Sequence, residues 1–331
     1  MQKVLVTGGT GVVGAPIVSG LVARGVQVRC LVRDRSSAEG LLPPQAELVV
    51  GEIESGNDLV RATAGCDAVF HVAGIVEQWT RDRDVFRRVN LEGTRNALKA
   101  ARVTGVDRFV YVSTQDTFDL TRDPFDETMP SHDRNPSAYE ASKIAAQELV
   151  DEAGREGLSV CSVHPCAVFG PGAARATGLT ALIVGLRQGK IPQLLNGGLA
   201  VVFNADVAVG AIAAAEQRVS GVKYIFAESY RTLKEIAEAV HQLHPPAAVP
   251  RVLPLWAAQF IARVGEPLAK VTGRPPILAR DTLGVLMRTG RPSAAKAERE
   301  LGWTPTPFFE GIQRTLASFA PARNPVAARA P

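Results

Sequence analysis

The sequence lacks the features that mark secreted, membrane-spanning or nucleic-acid-binding chains. Its four cysteines have no C-x-x-C spacing, which indicates buried thiols in a reducing compartment. Charged side chains interrupt the longest apolar stretch, Leu253–Val271, before it reaches the roughly 18 residues of a transmembrane helix. The 37 basic and 33 acidic residues are scattered, so no nucleic-acid surface is expected. No signal-peptide pattern opens the chain, and a cytoplasmic location is expected.

What the first half does contain is an alternation of short β-branched runs and helical patterns. Strands are predicted at Lys3–Thr7, Val26–Val32, Glu47–Val50, Ala68–Val72, Arg108–Ser113 and Leu158–His164. Helices are predicted between them, at Pro16–Arg24, Phe86–Thr104 and Tyr139–Glu156. Such alternation implies βαβ units and a parallel sheet that is buried on both faces. The predicted fold class is therefore α/β, with a doubly wound parallel Rossmann sheet.

Three spaced glycines follow the first strand and precede the first helix. Glycine is needed where the backbone turns tightly, approaches a pyrophosphate or lets a helix pack on a strand. The helix N-terminus then offers free N–H groups to the phosphates. This context favours dinucleotide binding over a plain turn. The predicted phosphate-binding loop comprises Gly8, Thr10, Gly11, Val12, Val13 and Gly14.

The second strand ends in charged residues at the point that faces the adenosine ribose in a Rossmann unit. An acidic residue there favours the 2′-hydroxyl of NAD, whereas arginine favours the 2′-phosphate of NADP. Here Arg33 and Arg35 flank Asp34. A solvated charged turn is the alternative. The two arginines favour NADP(H), with NAD(H) left open.

Tyr139 and Lys143 are spaced so that phenol and ammonium lie on one helix face. A tyrosine ionises near pH 10, and a neighbouring cation lowers that value toward the range of a general base. Thr114, at the end of the fifth strand, could donate a hydrogen bond to a substrate oxygen. Tyr230 and Lys234 have the same spacing without this context, which indicates coincidence.

Seven motifs occur in one order along nearly the whole chain. They are Thr7-Gly8-x-x-Gly11-x-x-Gly14, His71-Val72-Ala73-Gly74, Asn90-Leu-Glu-Gly93-Thr94, Ser113-Thr114, Tyr139-x-x-x-Lys143, Pro165-x-x-Val168-Phe-Gly170-Pro171-Gly172 and Leu301-Gly302-Trp303. With them the sequence resembles the extended short-chain dehydrogenase/reductase family, also called the NAD-dependent epimerase/dehydratase family.

The resemblance implies roles for individual residues. Tyr139 would exchange a proton with the substrate oxygen, Lys143 would hold the nicotinamide ribose and tune Tyr139, and Thr114 would orient the substrate. The family usually has Asp plus an aliphatic residue near adenine, where this chain has glutamate and isoleucine. The further implied cofactor contacts are Glu52, Ile53, Val72, Ala73, Gly74, Asn90, Pro165 and Val168.

Within the family, three stretches resemble the branch of dihydroflavonol reductases, 3β-hydroxysteroid dehydrogenases and 2-alkyl-3-oxoalkanoate reductases. They are Val32–Asp34, Phe70–Ala73 and the segment from Trp79 to Thr94. The function expected is hydride transfer between a nicotinamide and a lipophilic ketone or its alcohol. A nucleotide-sugar epimerase with tightly bound NAD is the alternative, although Pro165–Phe169 lacks the amide that such enzymes commonly carry. A non-catalytic nucleotide sensor would not need Thr114, Tyr139 and Lys143.

The predicted domain boundary lies after Gly172, where the regular alternation of strand and helix patterns becomes less regular. Residues 1–172 are predicted to form the Rossmann domain, to which a segment at about 200–230 returns. Residues 173–319 are predicted to form mainly a smaller C-terminal α/β substrate-binding cap, and residues 320–331 a disordered tail. The resemblance also implies a possible homodimer.

The remaining histidines and cysteines have ordinary interpretations. His71, His132 and His164 show no pairwise metal-ligand spacing, so no metal is predicted. Cys166 lies near the expected pocket but has no adjacent base, so a nucleophilic role is not expected.

Overall fold

The computed structural model describes residues 1–76, 80–131, 136–217, 219–272, 276 and 278–319. Trp79, His132 and the predicted tail, residues 320–331, lie outside the described residues.

Twelve strands are present in the described part of the chain. They are β1 (Lys3–Thr7), β2 (Gln27–Val32), β3 (Glu47–Val50), β4 (Ala68–His71), β5 (Arg108–Val112), β6 (Val160–Pro165), β7 (Ala167–Phe169), β8 (Gln193–Leu195), β9 (Gly198–Phe203), β10 (Val222–Phe226), β11 (Ser229–Thr232) and β12 (Arg251–Leu253). Seven of them form one sheet in the order β3-β2-β1-β4-β5-β6-β10, and every neighbouring pair is parallel. The predicted doubly wound α/β fold is confirmed.

The helices cover both faces of this sheet. They are α1 (Gly14–Ala23), α2 (Arg35–Ala38), α3 (Gly56–Thr63), α4 (Asp84–Phe86), α5 (Gly93–Thr104), α6 (Ala138–Arg155), α7 (Gly178–Arg187), α8 (Asn204–Glu216), α9 (Leu233–Leu243), α10 (Leu255–Thr272), α11 (Arg280–Leu286), α12 (Ala295–Leu301) and α13 (Phe308–Ser318). The first strand shows why both faces are covered. Val4 and Val6 point into the core beside α1 and α8, whereas Leu5 points into the core beside α3, α5 and α6.

The helix predicted over 86–104 is not one regular α-helix. A π-helical turn at Arg87–Glu92 separates α4 from α5. Such turns insert one extra residue into a helix and commonly occur at functional sites. This turn contains Asn90, whose side chain is almost completely buried and points toward the fourth strand's loop.

The second half of the chain contributes both to the large sheet and to a smaller body. β10 extends the sheet beyond β6, and α8 packs against α1. Strands β7, β9 and β11 form a three-stranded sheet, and β8 pairs with β12. A separate hydrophobic core holds this body together through Ile183, Val201, Ile236 and Ile312. None of the described helices combines the length and apolar character needed to cross a bilayer.

Candidate active site

The glycine-rich turn after β1 accepts no larger residue at two of its positions. Gly8 has φ of +69°, and a Cβ there would lie 2.7 Å from the backbone nitrogen of Ala73. A Cβ on Gly14 would lie 2.1 Å from the carbonyl oxygen of Gly8. The turn therefore brings the start of α1 against the end of β1 and against the loop after β4.

The N-terminus of α1 is open to a ligand. Within the described residues no side chain caps it at Val13, and its first turn holds no acidic residue. Thr10 accepts a backbone hydrogen bond from Ala174, and Asn204 Nδ2 donates to Val12 at 2.9 Å and to Pro171 at 2.7 Å. A fixed loop with an uncapped helix N-terminus fits a pyrophosphate.

The three charged residues after β2 differ in their hydrogen-bond partners. Asp34 caps α2 and accepts hydrogen bonds from Ser36 and Ser37, which lower the pKa of its carboxyl to about 2. Arg35 donates to the carbonyl oxygen of Leu48 at 2.7 Å. Arg33 is exposed and forms no ion pair with any described residue. Arg33 is thus the available cation at this corner.

The residues expected near adenine lie on the loop between β3 and α3. Glu52 is exposed, and its backbone N–H donates to Asp58. Ile53 is half-buried against Gly93, whose Cβ would lie 2.9 Å from Ile53 Cδ1. Ile53 therefore packs on the helix that leads from Asn90, while Glu52 faces solvent.

Val72, Ala73 and Gly74 follow β4 and face the glycine-rich turn. Thr7 Oγ1 accepts from the Ala73 N–H at 3.3 Å and donates to His71 Nδ1 at 2.9 Å. His71 Nε2 then donates to Thr94 Oγ1 at 3.1 Å. This network joins β1, β4 and α5 beneath the loop, and burial keeps His71 neutral with a pKa of about 3.

Asn90 supports that loop from behind. Its Oδ1 accepts from the Ile75 N–H at 2.8 Å, and its Nδ2 donates to the Ile75 carbonyl at 3.1 Å and to Ser142 Oγ at 2.9 Å. Because these bonds engage both ends of the amide, Asn90 supports the loop rather than offering free groups to a ligand.

The Thr114, Tyr139 and Lys143 side chains lie together at the carboxyl end of β5. All three are buried, and Tyr139 and Lys143 lie in the first two turns of α6. Ser137 and Glu140 form a capping box that starts this helix. Lys143 Nζ donates to the Val112 carbonyl at 2.9 Å. The four-residue spacing thus places both side chains where an open α/β sheet assembles its sites.

The electrostatic state of the pair differs from the expectation of a lowered tyrosine pKa. Burial and the negative charge of Asp116 raise the pKa of Tyr139 above its usual value. Burial lowers the pKa of Lys143 to about 7, opposed by Asp116. Tyr139 is therefore a protonated phenol at neutral pH, and the ammonium of Lys143 loses its proton near neutral pH.

Three charged residues that the sequence did not single out border this group. Asp116 accepts from Thr114 Oγ1 at 2.9 Å, Glu140 is paired with Arg288, and Arg288 also lies 4.0 Å from Asp116. The only local signal was the Ser137-x-x-Glu140 capping pattern, and it indicates a helix start rather than a site. Tyr230 donates to the Arg288 carbonyl at 3.3 Å, so it supports this segment instead of forming a second pair with Lys234.

A small buried apolar cluster lies beside the charged group. Pro165 ends β6, Val168 lies in β7, and Cys166 between them belongs to a small hydrophobic cluster with Phe118 and Phe125. The other buried members of that cluster are Ala200, Ile225 and Ala227. Cys166 also lies near enough to Asp116 for that charge to raise the pKa of its thiol, so this buried cluster packs next to the charged group.

Of the residues given ordinary interpretations, His71, His164 and Cys166 are described by the structure, and all three are buried. His164 Nδ1 donates to the Thr114 carbonyl at 3.0 Å, and burial lowers its pKa to about 3. All four cysteines are free and buried. Within the described ranges, no group of histidine, cysteine and acidic side chains could hold a metal ion.

Comparison with known proteins gives concordant matches. The model of the "NAD dependent epimerase/dehydratase family" matches residues 4–227. A ketoreductase of Stigmatella aurantiaca, which acts on a farnesyl-bearing dihydroquinoline oxide, is 31% identical over 91% of this chain and 92% of its own. The 2-alkyl-3-oxoalkanoate reductase of Stenotrophomonas maltophilia is 29% identical over 96% and 100% of the two chains.

Solved structures share the fold. The UDP-glucose 4-epimerase of Thermus thermophilus, in complex with NAD, superimposes with a TM-score of 0.78 at 24% identity, covering 97% of this chain and 99% of that one. The family model and the reductase relatives together show more than the fold. The chain belongs to the NAD-dependent epimerase/dehydratase family and is an enzyme that acts on CH–OH or C=O groups.

Proposed function

We propose that the protein is an NADP(H)-dependent reductase of a lipophilic ketone, or equally a dehydrogenase of the corresponding secondary alcohol. The observation that carries the proposal is the burial of Tyr139 and Lys143 on α6 directly beside Thr114 at the end of β5. A bound nicotinamide would supply or accept the hydride. The chain would supply the proton.

Tyr139 has the properties of a proton donor to a carbonyl oxygen. Its phenol is protonated at neutral pH because burial and Asp116 raise its pKa. Lys143 would move from the Val112 carbonyl to the nicotinamide ribose, and its charge would stabilise the phenolate left after proton transfer. Thr114 would orient the substrate oxygen.

The proposal of a lipophilic substrate rests on the neighbours of the site and on two relatives. The apolar cluster of Phe118, Phe125 and Cys166 adjoins the charged group. Arg288 is matched by Glu140 and Asp116, so it offers little free positive charge to a diphosphate. The names of the two reductase relatives include a farnesyl and an alkyl substituent. The epimerase neighbour supports the fold alone.

The division of labour between the two bodies is part of the proposal. Residues 1–172, with β10 and α8, would bind the cofactor, and residues 173–319 would mainly form the substrate-binding cap. The cofactor contacts would be those predicted from the sequence, with Asn90 acting through Ile75. The homodimer stays a prediction.

The preference for NADP(H) rests on the corner after β2. Arg33 is exposed and available, whereas Asp34 is engaged with Ser36 and Ser37. An arginine that forms no ion pair with any residue in the described ranges suits a 2′-phosphate, and a carboxylate that caps a helix is less able to bind a 2′-hydroxyl.

The test begins with the nucleotide that co-purifies with the protein, identified by mass after denaturation. A site that is purified empty and binds NADPH more tightly than NADH supports the reductase. Turnover is then followed as NADPH consumption with the series from 2-butanone to 2-undecanone, beside UDP-glucose. Retained NAD together with epimerisation of UDP-glucose would overturn the proposal.

Tyr139→Phe removes the proposed proton donor and is expected to abolish turnover while leaving NADPH affinity nearly unchanged. Tyr111→Phe is the matched control, because Tyr111 is also buried and its ring lies under Lys143 Nζ, 4.4 Å from the ring centroid. The control preserves that ring and should remain active. Activity retained in Tyr139→Phe would contradict the assigned role.

A further inference from the structure

The hydroxyl of Thr114 donates its proton in a hydrogen bond to a carboxylate of the same loop. Thr114 Oγ1 donates to Asp116 Oδ2 at 2.9 Å and accepts from the Asp116 N–H at 3.3 Å. A hydroxyl has one proton to donate. With that proton held by Asp116, Thr114 can only accept a hydrogen bond on the side that faces Tyr139.

Charged and titratable groups from several elements lie close to Asp116. From α6, the charge of Glu140 raises the pKa of Asp116, and the charge of Lys143 lowers it. Asp116 in turn raises the pKa of Tyr139. From the segment after α11, Arg288 lies 4.0 Å away, and Cys166 approaches from the end of β6. Burial and Glu140 outweigh the two cations and the Thr114 hydrogen bond, which raises the pKa of Asp116 to about 6.

We propose that Asp116 is a positioning residue that decides whether the Thr114 hydroxyl accepts a hydrogen bond from a substrate alcohol or donates one to a substrate ketone. The inference rests on the function proposed above. Ionised Asp116 accepts a hydrogen bond from the Thr114 hydroxyl, and Thr114 Oγ1 then accepts one from the alcohol O–H. Protonated Asp116 donates to Thr114 Oγ1, and the Thr114 proton turns toward the carbonyl oxygen.

The two protonation states therefore favour opposite sides of one reaction. A ketone binds better below the pKa of Asp116, and an alcohol binds better above it. Titration of Lys143 acts on the cofactor side and shifts the binding of both substrates in the same direction. The ratio of the ketone and alcohol constants isolates the contribution of Thr114 and Asp116.

The experiment measures the KM of the most efficiently reduced 2-alkanone and the inhibition constant of its own 2-alkanol, at about pH 5 and about pH 8. In the unmodified enzyme, the ratio of the ketone KM to the alcohol inhibition constant is expected to rise about fivefold between the two pH values. A change of this size corresponds to about one hydrogen bond, which the ketone loses and the alcohol gains. Asp116→Asn, whose amide can serve as donor or acceptor, should make the ratio independent of pH. Thr114→Val should do the same.

Asp119→Asn is the matched control. Asp119 lies in the same loop, and its carboxylate accepts hydrogen bonds from the backbone and side chain of Thr121 instead of from Thr114. It should retain the pH dependence of the unmodified enzyme. A purely structural effect of Asp116→Asn would change both constants alike and leave the slope of the ratio intact.

The outcomes separate this inference from the proposed function. A ketone that is reduced with a ratio independent of pH, or with the same slope in Asp116→Asn, overturns the role of Asp116 alone. If the unmodified enzyme reduces no member of the ketone series, the proposed function fails and this inference fails with it.

Discussion

The side-chain amide of Asn90 bonds both backbone polar groups of Ile75. Asn90 Oδ1 accepts from the Ile75 N–H at 2.8 Å, and Asn90 Nδ2 donates to the Ile75 carbonyl at 3.1 Å. The π-helical turn at Arg87–Glu92 makes this geometry possible, because it turns Asn90 inward between the fourth strand's loop and α6. The loop at residues 72–75, which faces the glycine-rich turn, is thereby held without a regular strand partner.

Removing this amide should loosen the loop. Asn90→Ala leaves the Ile75 N–H and carbonyl without their partner, and we expect a loss of about 2 kcal/mol in the free energy of unfolding. NADPH affinity should fall about tenfold, because the loop would no longer be held against Gly8. Urea unfolding and fluorescence titration measure the two effects.

Gln147→Ala is a comparison for the previous variant. Gln147, in the later turns of α6, is also buried, and its amide donates to Asp151 in the same helix and to Ser162 in β6. It should lower stability without changing NADPH affinity. Equal losses of affinity in both variants would mean that Asn90 acts through general stability only.

Gly14→Ala should disable the glycine-rich turn. Its Cβ would lie 2.1 Å from the Gly8 carbonyl oxygen, which forces the turn away from α1. We expect NADPH binding to weaken by at least about 100-fold, because the helix N-terminus would lose its alignment. Isothermal titration calorimetry measures the change.

A glycine with free space around it serves as the control for that substitution. Among the described residues, and apart from its chain neighbours and the backbone of its own helix, no atom lies within 4 Å of a Cβ built on Gly284 in α11. Gly284→Ala should bind NADPH normally and be slightly more stable, by about 0.5–1 kcal/mol. Normal NADPH binding by Gly14→Ala would refute the assignment of the turn.

Arg33→Ala should reduce the discrimination between the two cofactors. Loss of a charge-assisted bond to a 2′-phosphate costs about 1.5–3 kcal/mol, which is about 10- to 100-fold in the KM for NADPH. The KM for NADH should change little. Arg35→Ala, in which a guanidinium bonded to the Leu48 carbonyl is lost, is the neighbouring control. Parallel increases for both cofactors in Arg33→Ala would contradict NADP(H) preference.

Asp116 should make the folded state less stable as pH rises. Its pKa is raised from 3.8 to about 6 on folding, so the folded state holds a proton that the unfolded chain releases. The resulting stability is full below about pH 4 and is lost as pH rises through about 6. Chemical denaturation between these values should show a decline of about 2 kcal/mol that Asp116→Asn lacks.

The opposite dependence of stability on pH is expected for Asp126, because hydrogen bonds from Thr128 lower the pKa of its carboxyl. Its contribution is present above the unfolded pKa and is lost as pH falls. A decline with rising pH that persists unchanged in Asp116→Asn would contradict the first expectation, and Asp126→Asn tests the second independently.

Much of the fold could be predicted because its signals are local. β1 and β3 have the predicted bounds, and the other four predicted strands differ by one or two residues at their ends. Alternation of strands and helices implies parallel pairing, since only crossover connections are available. The helix predicted over 86–104 was interrupted by the π-helical turn, because tertiary contacts of Asn90 override a continuous periodic pattern.

The sequence by itself determined what depends on neighbouring residues. Gly8 and Gly14 occupy a turn whose backbone excludes a side chain, and the spacing of Tyr139 and Lys143 follows from the helical period.

Only the tertiary structure decided the charge environment of the site. Arg288 reaches Glu140 across 148 residues of sequence, and burial then raises the pKa of Asp116 and lowers that of Lys143. Asp34, one of the charged residues expected at the ribose corner, caps α2. Hydrogen-bond partners and desolvation depend on which distant segments pack together, and no local pattern of residues specifies that packing.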